Sequence, residues 1–194
     1  MAYAREFGEA RACSAFMRFK LPPLQQIELT KEKKDRINRL FETLREALGA
    51  DGLAYRCLGH AALLDAVEAA IGGVPTLTVG YLTVGEMDYY YCSRRDMREW
   101  LRQGVPDTTG APVHAWLTLP TRRPTVLDFT LDATWRTAKQ TPLTPDALRG
   151  YLLGTAFESV NYHPVAAGND IPARLGVRTP PEFLELAVRL QFAA

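Results

Sequence analysis

The sequence has few cysteines and no long apolar run, and each of these scarcities excludes a class of protein. Three cysteines among 194 residues cannot form a fully paired disulfide framework, so free thiols in a reducing compartment are expected. The chain opens with no apolar segment of signal-peptide type, and its most apolar region, 61–84, is interrupted by acids, glycines and a proline. We therefore expect a cytoplasmic protein without a membrane span, although export by a route that needs no cleavable signal would leave the same pattern.

An excess of charge of either sign is also missing. Lys and Arg number 23 against 22 Asp and Glu, so the bulk charge gives no indication of binding to nucleic acid or to an anionic membrane. Two local basic clusters, KEKK at 31–34 and TRRP at 121–124, are predicted to be solvated surface. Glycine motifs that cradle phosphates are lacking, which argues against nucleotide chemistry, and we expect no cofactor.

The apolar content of 47% is sufficient for a core, and the length fits one domain over 1–194 with its core at about 30–135. Thr30 is a suitable N-cap for a helix that runs to about Leu48. A second, buried helix is predicted from Cys57 to the glycines that follow Ile71. The β-branched run at 76–84 predicts a strand, 86–93 a hairpin partner, and 94–103 a short helix capped by Ser93.

The second half of the chain predicts mainly strands. Strands are expected at 113–119, 126–131 and 158–165, together with helices that begin after Thr144 and after Thr179. Residues 1–21 show no clear pattern, 22–29 read as an extended connector, and 105–113 as a loop. The predicted fold class is therefore α+β, with a helical first half and a mostly antiparallel sheet.

Two strands joined by the TRRP turn each carry a titratable residue on the same predicted face. Strand parity groups His114 with Trp116 on one side, and Asp128 takes the corresponding side of its own strand. A hairpin centred near Thr121 would place His114 and Asp128 directly opposite each other, with Cβ atoms roughly 4.5–5.5 Å apart. A carboxylate in that position fixes the tautomer of the imidazole and stabilises the imidazolium, although a purely structural His–Asp pair has the same pattern.

Cys57 differs from Cys13 and Cys92 in its sequence context. It stands where the buried helix is expected to begin, and the free N–H groups of a helix N-terminus favour a thiolate over a thiol. In that position a cysteine is a candidate nucleophile, whereas the alternative for all three cysteines is a small apolar core residue. A zinc site formed by Cys57, His60 and His114 lacks an evident fourth ligand, and no metal is expected.

The ordered set of motifs over residues 57–130 resembles the transglutaminase-like superfamily, which has a papain-like cysteine peptidase fold. The family pattern is a cysteine that opens a helix, a Gly-x-Pro turn, a strand with Gly-Tyr, then His-Ala-Trp and Asp-x-Thr. The residues that match in order are Cys57, Ala61, Leu64, Gly73, Pro75, Gly80, Tyr81, His114, Ala115, Trp116, Asp128 and Thr130.

This resemblance implies a buried helix with the cysteine, packed on an antiparallel sheet with the histidine and the aspartate. Cys57 would be the nucleophile, His114 the base and acid, and Asp128 the residue that orients His114. A thioester at Cys57 would then be formed from an amide or peptide bond of a peptide or protein substrate, as in a peptidase or amidase. An amine acceptor in place of water would make the chain a transferase.

Three further residues are expected near the substrate. Trp116 shares the face of His114, Tyr55 is a candidate second donor to the oxyanion beside the Cys57 N–H, and His60 lies one helical turn after Cys57. Gly59 and His60 depart from the family, which often has an acid and an aromatic there, and this favours a non-catalytic binding domain as an alternative. Arylamine N-acetyltransferases, which use Cys, His and Asp in the same order, are the other alternative.

Overall fold

A computed structural model describes residues 2–49, 51–106, 113–145 and 149–191. The elements in chain order are α1 (Ala2–Phe16), α2 (Lys31–Leu48), a 3-10 helix η1 (Cys57–Leu63), α3 (Leu64–Ile71), β1 (Thr76–Val84), β2 (Met87–Tyr89), α4 (Arg94–Gln103), β3 (His114–Leu119), β4 (Thr125–Asp128), α5 (Leu131–Lys139), β5 (Leu152–Gly154), β6 (Val160–Ala167), α6 (Ile171–Leu175) and α7 (Pro181–Gln191). The α+β fold class is therefore confirmed. Among these described elements, no helix combines the length and apolarity needed to cross a membrane.

The sheet is antiparallel throughout and is organised around β1. One edge of β1 pairs with β6. The other edge pairs with β3 along the N-terminal part of β1 and with β2 along its C-terminal part. Strands β4 and β5 extend the sheet beyond β3. Gly80 is required where β6 approaches, because a Cβ there would lie 2.0 Å from the carbonyl oxygen of His163.

The sheet curls so strongly that strands far apart in its order make contact. β6 and β4 are separated by β1 and β3, so in a flat sheet they would lie roughly 14 Å apart. The hydroxyl of Tyr162 in β6 nevertheless donates to Asp128 in β4 over 2.8 Å. One apolar cluster on this concave face includes Trp116 and Tyr162, and a larger cluster on the opposite face packs against α2, η1, α3 and α7.

Several sequence predictions are confirmed residue by residue. Thr30 caps α2 by accepting a hydrogen bond from the Lys33 N–H, and α2 ends at Leu48. Ser93 caps α4 in a reciprocal capping box with Asp96. The strand predicted at 76–84 is β1, and β2 is its hairpin partner.

Other predictions are wrong in part. The segment 57–71 begins as a 3-10 helix, because the Gly59 N–H donates to the Arg56 carbonyl three residues before it. Helix α7 begins at Pro181 rather than immediately after Thr179. The helix expected after Thr144 falls partly on 146–148, outside the described residues, and Leu152–Gly154 is the edge strand β5 because it pairs with β4. The loop predicted at 105–113 also lies mostly outside the described residues, at 107–112.

The sequence pattern misses helices α1, α5 and α6, and the strand predicted at 126–131 ends at Asp128 because Leu131 begins α5. Helix α1 matters most for the site. Its buried residues, Tyr3, Phe7, Ala10 and Ser14, lie on one helical face. Only two of them are large apolar residues, so no amphipathic stripe shows in the sequence. Tyr3 reaches across the concave face of the sheet, where its hydroxyl contacts the Thr118 hydroxyl at 2.6 Å and accepts a hydrogen bond from the indole N–H of Trp116 at 2.8 Å.

Candidate active site

His114 and Asp128 meet, but through a different register from the predicted one. The observed pairs are Leu117 with Leu127 and Leu119 with Thr125, so the hairpin is centred one residue later than Thr121. Continued along the strands, this register places Asp128 opposite Trp116, and the prediction that His114 is directly opposite is therefore wrong. The parity of the strands is unchanged, and His114 reaches Asp128 diagonally, with Nε2 2.5 Å from Oδ2.

The Asp128 carboxylate is fully buried and accepts hydrogen bonds on both oxygens. Besides His114, Oδ2 accepts from the Tyr162 hydroxyl. Oδ1 accepts from the Thr130 N–H at 2.9 Å, the Thr130 hydroxyl at 3.0 Å and the Leu131 N–H at 3.1 Å. Although burial opposes ionisation, the neighbouring His114 and these donors hold the pKa of Asp128 well below its ordinary value.

His114 is itself almost completely buried, at 2% exposed. Burial alone would lower its pKa, but the charge of Asp128, the hydrogen bond to Asp128 and the interaction with Cys57 together raise the pKa of His114 to about 10. The Tyr90 ring stacks on the imidazole with 5.5 Å between ring centroids. The geometry thus favours a protonated imidazole held between a carboxylate and a thiol.

Cys57 lies at the first position of η1, half-buried, with its Sγ 3.7 Å from the Val113 carbonyl oxygen. A hydrogen bond to Cys57 is among the interactions that raise the pKa of His114, so the thiol lies within reach of the imidazole. Because Nε2 of His114 is used by Asp128, Nδ1 is the atom left for the sulfur. The structure therefore brings together Cys57, His114 and Asp128, the three residues expected to be catalytic.

The other two cysteines lie in different surroundings. Cys92 is buried, and this burial raises the pKa of its thiol to about 12. Cys13 is half-buried in α1 and packs against the larger apolar cluster. Among the described residues, it is Cys57 that interacts with a histidine.

His60, expected near the substrate, is instead fully buried beneath the site. Its Nδ1 donates to the carbonyl oxygen of Cys57 at 2.7 Å, and its Nε2 accepts the Phe129 N–H at 3.0 Å. Both ring nitrogens are thus used by a neutral imidazole, and burial lowers the pKa of His60 accordingly. This residue joins the cysteine segment to the end of β4 and has no exposed surface for a substrate.

Trp116, also expected near the substrate, is buried on the concave face behind His114. The centroid of its ring lies 6.0 Å from the centroid of the His114 ring, and its indole N–H donates to the Tyr3 hydroxyl. It therefore packs behind the imidazole on the concave face.

Tyr55 is 64% exposed and is the most accessible of the predicted residues. Its backbone N–H donates to the Thr134 hydroxyl, so only the phenol hydroxyl is left as a donor. Together with Tyr90 it lines a small apolar cavity of about 70 Å³ next to the site. Burial, followed by the charges of Cys57, Tyr55 and Asp128, raises the pKa of Tyr90 to about 12.

Two residues of the site have no signal in the sequence. Tyr162 contacts Asp128 because the sheet curls, and Tyr90 covers His114 with its backbone in the left-handed region at φ 60°. Thr130 could have been found, since an Asp-x-Thr sequence favours hydrogen bonds from the backbone and the hydroxyl two residues later.

In the part of the chain that the structure describes, no group of three or more His, Cys, Asp or Glu side chains is arranged to hold a metal ion. Comparisons of this chain with models of protein families, with curated proteins and with solved structures give no match.

Proposed function

We propose that the chain is a transglutaminase-like cysteine enzyme that hydrolyses an amide or peptide bond through a thioester at Cys57. The observation that carries this proposal is the buried His114–Asp128 pair, whose remaining imidazole nitrogen is available to the Cys57 thiol. The order of the three residues along the chain supports the same family, as does their placement on a helical segment and an antiparallel sheet, the arrangement of a papain-like core. Catalysis of this type needs a nucleophile, a base beside it and a group that orients the base.

Because the pKa of His114 is raised, the resting pair has the thiol proton already on Nδ1 of His114, and in the first half-reaction the Cys57 thiolate attacks the substrate carbonyl carbon. The imidazolium then gives this proton to the leaving nitrogen as the C–N bond breaks, which leaves a thioester on Sγ. The N–H of Cys57 would stabilise the oxyanion, with the Tyr55 hydroxyl as a candidate second donor.

In the second half-reaction, His114 takes a proton from water, the oxygen attacks the thioester carbon, and the C–S bond breaks. The thiolate and the protonated His114 are thereby restored, and the product leaves as a carboxylic acid. Asp128 stays ionised throughout, because its donors stabilise the carboxylate, and it holds Nε2–H so that Nδ1 faces the sulfur.

Selective alkylation tests the central claim. We expect iodoacetamide at limiting concentration to label Cys57 faster than Cys13 and much faster than the buried Cys92, as read by peptide mass spectrometry. His114→Gln should remove this preference, whereas His163→Gln is the matched control, because His163 also contacts a carboxylate, that of Glu6, and its other nitrogen contacts the Thr83 hydroxyl. Equal labelling of Cys57 and Cys13 in the unaltered chain would count against the proposal.

The acceptor is tested separately from the nucleophile. A peptide library should give cleaved products in water, and hydroxylamine should intercept the thioester as a hydroxamate. Turnover only with an added primary amine would assign a transferase, and turnover with an acyl-coenzyme A donor would assign the acetyltransferase alternative. A folded chain with selective alkylation but no turnover of any of these classes would favour a binding domain.

A further inference from the structure

A second cavity, of about 710 Å³, lies behind the candidate active site. It is bounded by the start of α1, the start of β4 and the segment 155–163, which leads into β6. Its volume falls within the roughly 300–1,000 Å³ that is usual for small-molecule sites. All of the residues that line it belong to the described part of the chain.

The walls of this cavity are apolar even where tyrosines form them. The hydroxyl of Tyr3 is used by Thr118 and Trp116, and that of Tyr162 by Asp128, so each presents its ring to an occupant. The half-buried ring of Phe157 adds further apolar surface, while Val126 and Val160 lie buried beneath these rings. Walls with three aromatic rings favour an aromatic or aliphatic body.

The charged groups at the rim leave one cation uncompensated. Glu6 is already in contact with Nδ1 of His163 at 3.0 Å, and Nε2 of His163 contacts the Thr83 hydroxyl at 3.0 Å. The guanidinium of Arg123 forms no ion pair with any residue that the structure describes. The Arg123 carbonyl accepts hydrogen bonds from the hydroxyls of Thr121 and Thr125, which fix the turn that carries this residue.

From this arrangement we infer that the cavity binds a small amphipathic anion, with an aromatic or aliphatic body on the rings of Phe157 and the two tyrosines and one carboxylate or similar group on Arg123. The inference does not depend on the proposed chemistry of Cys57, because none of its supporting residues is a member of the triad. Arginine suits this role because its fixed, planar donors match a carboxylate bidentately.

Isothermal titration calorimetry with three probes separates the two halves of the ligand. We expect 4-phenylbutyrate to bind once per chain, and about tenfold more tightly than the neutral 4-phenyl-1-butanol, which lacks the charged contact. Acetate, which has only the anionic group, should bind at least about tenfold more weakly than 4-phenylbutyrate. Equal affinity of all three probes, or no saturable binding of 4-phenylbutyrate at millimolar concentration, would overturn the inference.

Adjacent arginines supply a matched pair of variants. Arg123→Gln should weaken 4-phenylbutyrate binding about tenfold, while Arg122→Gln, which removes the same charge one residue away but outside this cavity, should change it less than about twofold. Ala156→Trp fills the mouth from an exposed position and should abolish binding while the circular dichroism spectrum stays unchanged. Equal effects of the two arginine variants, or full binding by a folded Ala156→Trp chain, would contradict the proposed site.

Discussion

At the scale of single residues, the site depends on the carboxylate of Asp128. It is fully buried, yet every donor around it is matched to an oxygen, so the charge is stabilised without solvent. Two of these donors, Thr130 and Leu131, are backbone N–H groups at the start of α5, where the helix dipole also favours a negative charge. The imidazole of His114 is thus held by a partner that is itself fixed.

Tyr162 provides a test of how strongly this charge is held. We expect Tyr162→Phe to lower the free energy of unfolding by about 1.5–3 kcal/mol, because it removes a hydrogen bond to a charged acceptor. Ser159→Ala is the control: the Ser159 hydroxyl donates to the neutral carbonyl oxygen of Leu143, and its loss should cost only about 0.5–1.5 kcal/mol. Urea denaturation measures the free energy of unfolding of both variants. An equal or smaller decrease for Tyr162→Phe would show that its hydrogen bond to the charged carboxylate stabilises the fold no more than a neutral hydrogen bond does.

The catalytic candidates could be predicted from the sequence, but their surroundings could not. Cys57, His114 and Asp128 are found from residue type, strand parity and order along the chain. Tyr162 reaches the site only because β6 pairs with β1 and the sheet then curls, and neither feature has a local signal. Likewise, His60 lies near the site as expected, but only the fold shows that its nitrogens are used by the backbone.

At the scale of elements, the hairpin shows why the His–Asp contact survives an error in register. Moving the centre of a hairpin by one residue changes each partner by two positions, and side chains two apart in a strand share a face. The residue opposite His114 is therefore different from the predicted one, while Asp128 keeps its side of the sheet. A bulge, which changes the partner by one position, would have separated the pair.

Helix α7 explains the glycine two residues after Cys57. Phe183 is fully buried against η1, and a Cβ on Gly59 would lie 2.5 Å from its ring. Any side chain at this position would push α7 away from the segment that carries the cysteine. The glycine at position 59 thus has a packing reason in this chain.

Substitution of this glycine tests the contact between α7 and η1. We expect Gly59→Ala to destabilise the chain by about 1–3 kcal/mol through overpacking against Phe183. Gly8→Ala, at an exposed position of α1 where no atom lies within 4 Å of the added Cβ, should instead be neutral or stabilising by up to about 1 kcal/mol. In a Phe183→Ala background, Gly59→Ala should no longer lower the free energy of unfolding. An unchanged decrease in this double-mutant cycle would mean that the overpacking does not involve Phe183.

At the scale of the whole molecule, the fold class could be predicted while the closure of the concave face could not. The helices and strands from α2 to β4 follow local caps, glycine stops and β-branched runs. Helix α1 instead seals the sheet with a mixture of side chains, and the buried Ser14 hydroxyl accepts a hydrogen bond from the Ala167 N–H. Such an element is fixed by partners more than 100 residues away along the chain, which a local pattern does not record.

The stability of the whole chain should depend on pH through His114. Because the folded state raises its pKa from 6.5 to about 10, the stabilisation is complete below about pH 6.5 and is lost as the pH rises toward 10. Asp128, with its lowered pKa, loses its contribution only below about pH 4. We therefore expect the difference in unfolding free energy between the unaltered chain and His114→Gln to be largest at about pH 5–6 and clearly smaller at about pH 9. Urea denaturation across this range measures it, and a difference that does not change with pH would mean that the folded chain does not hold the proton on His114.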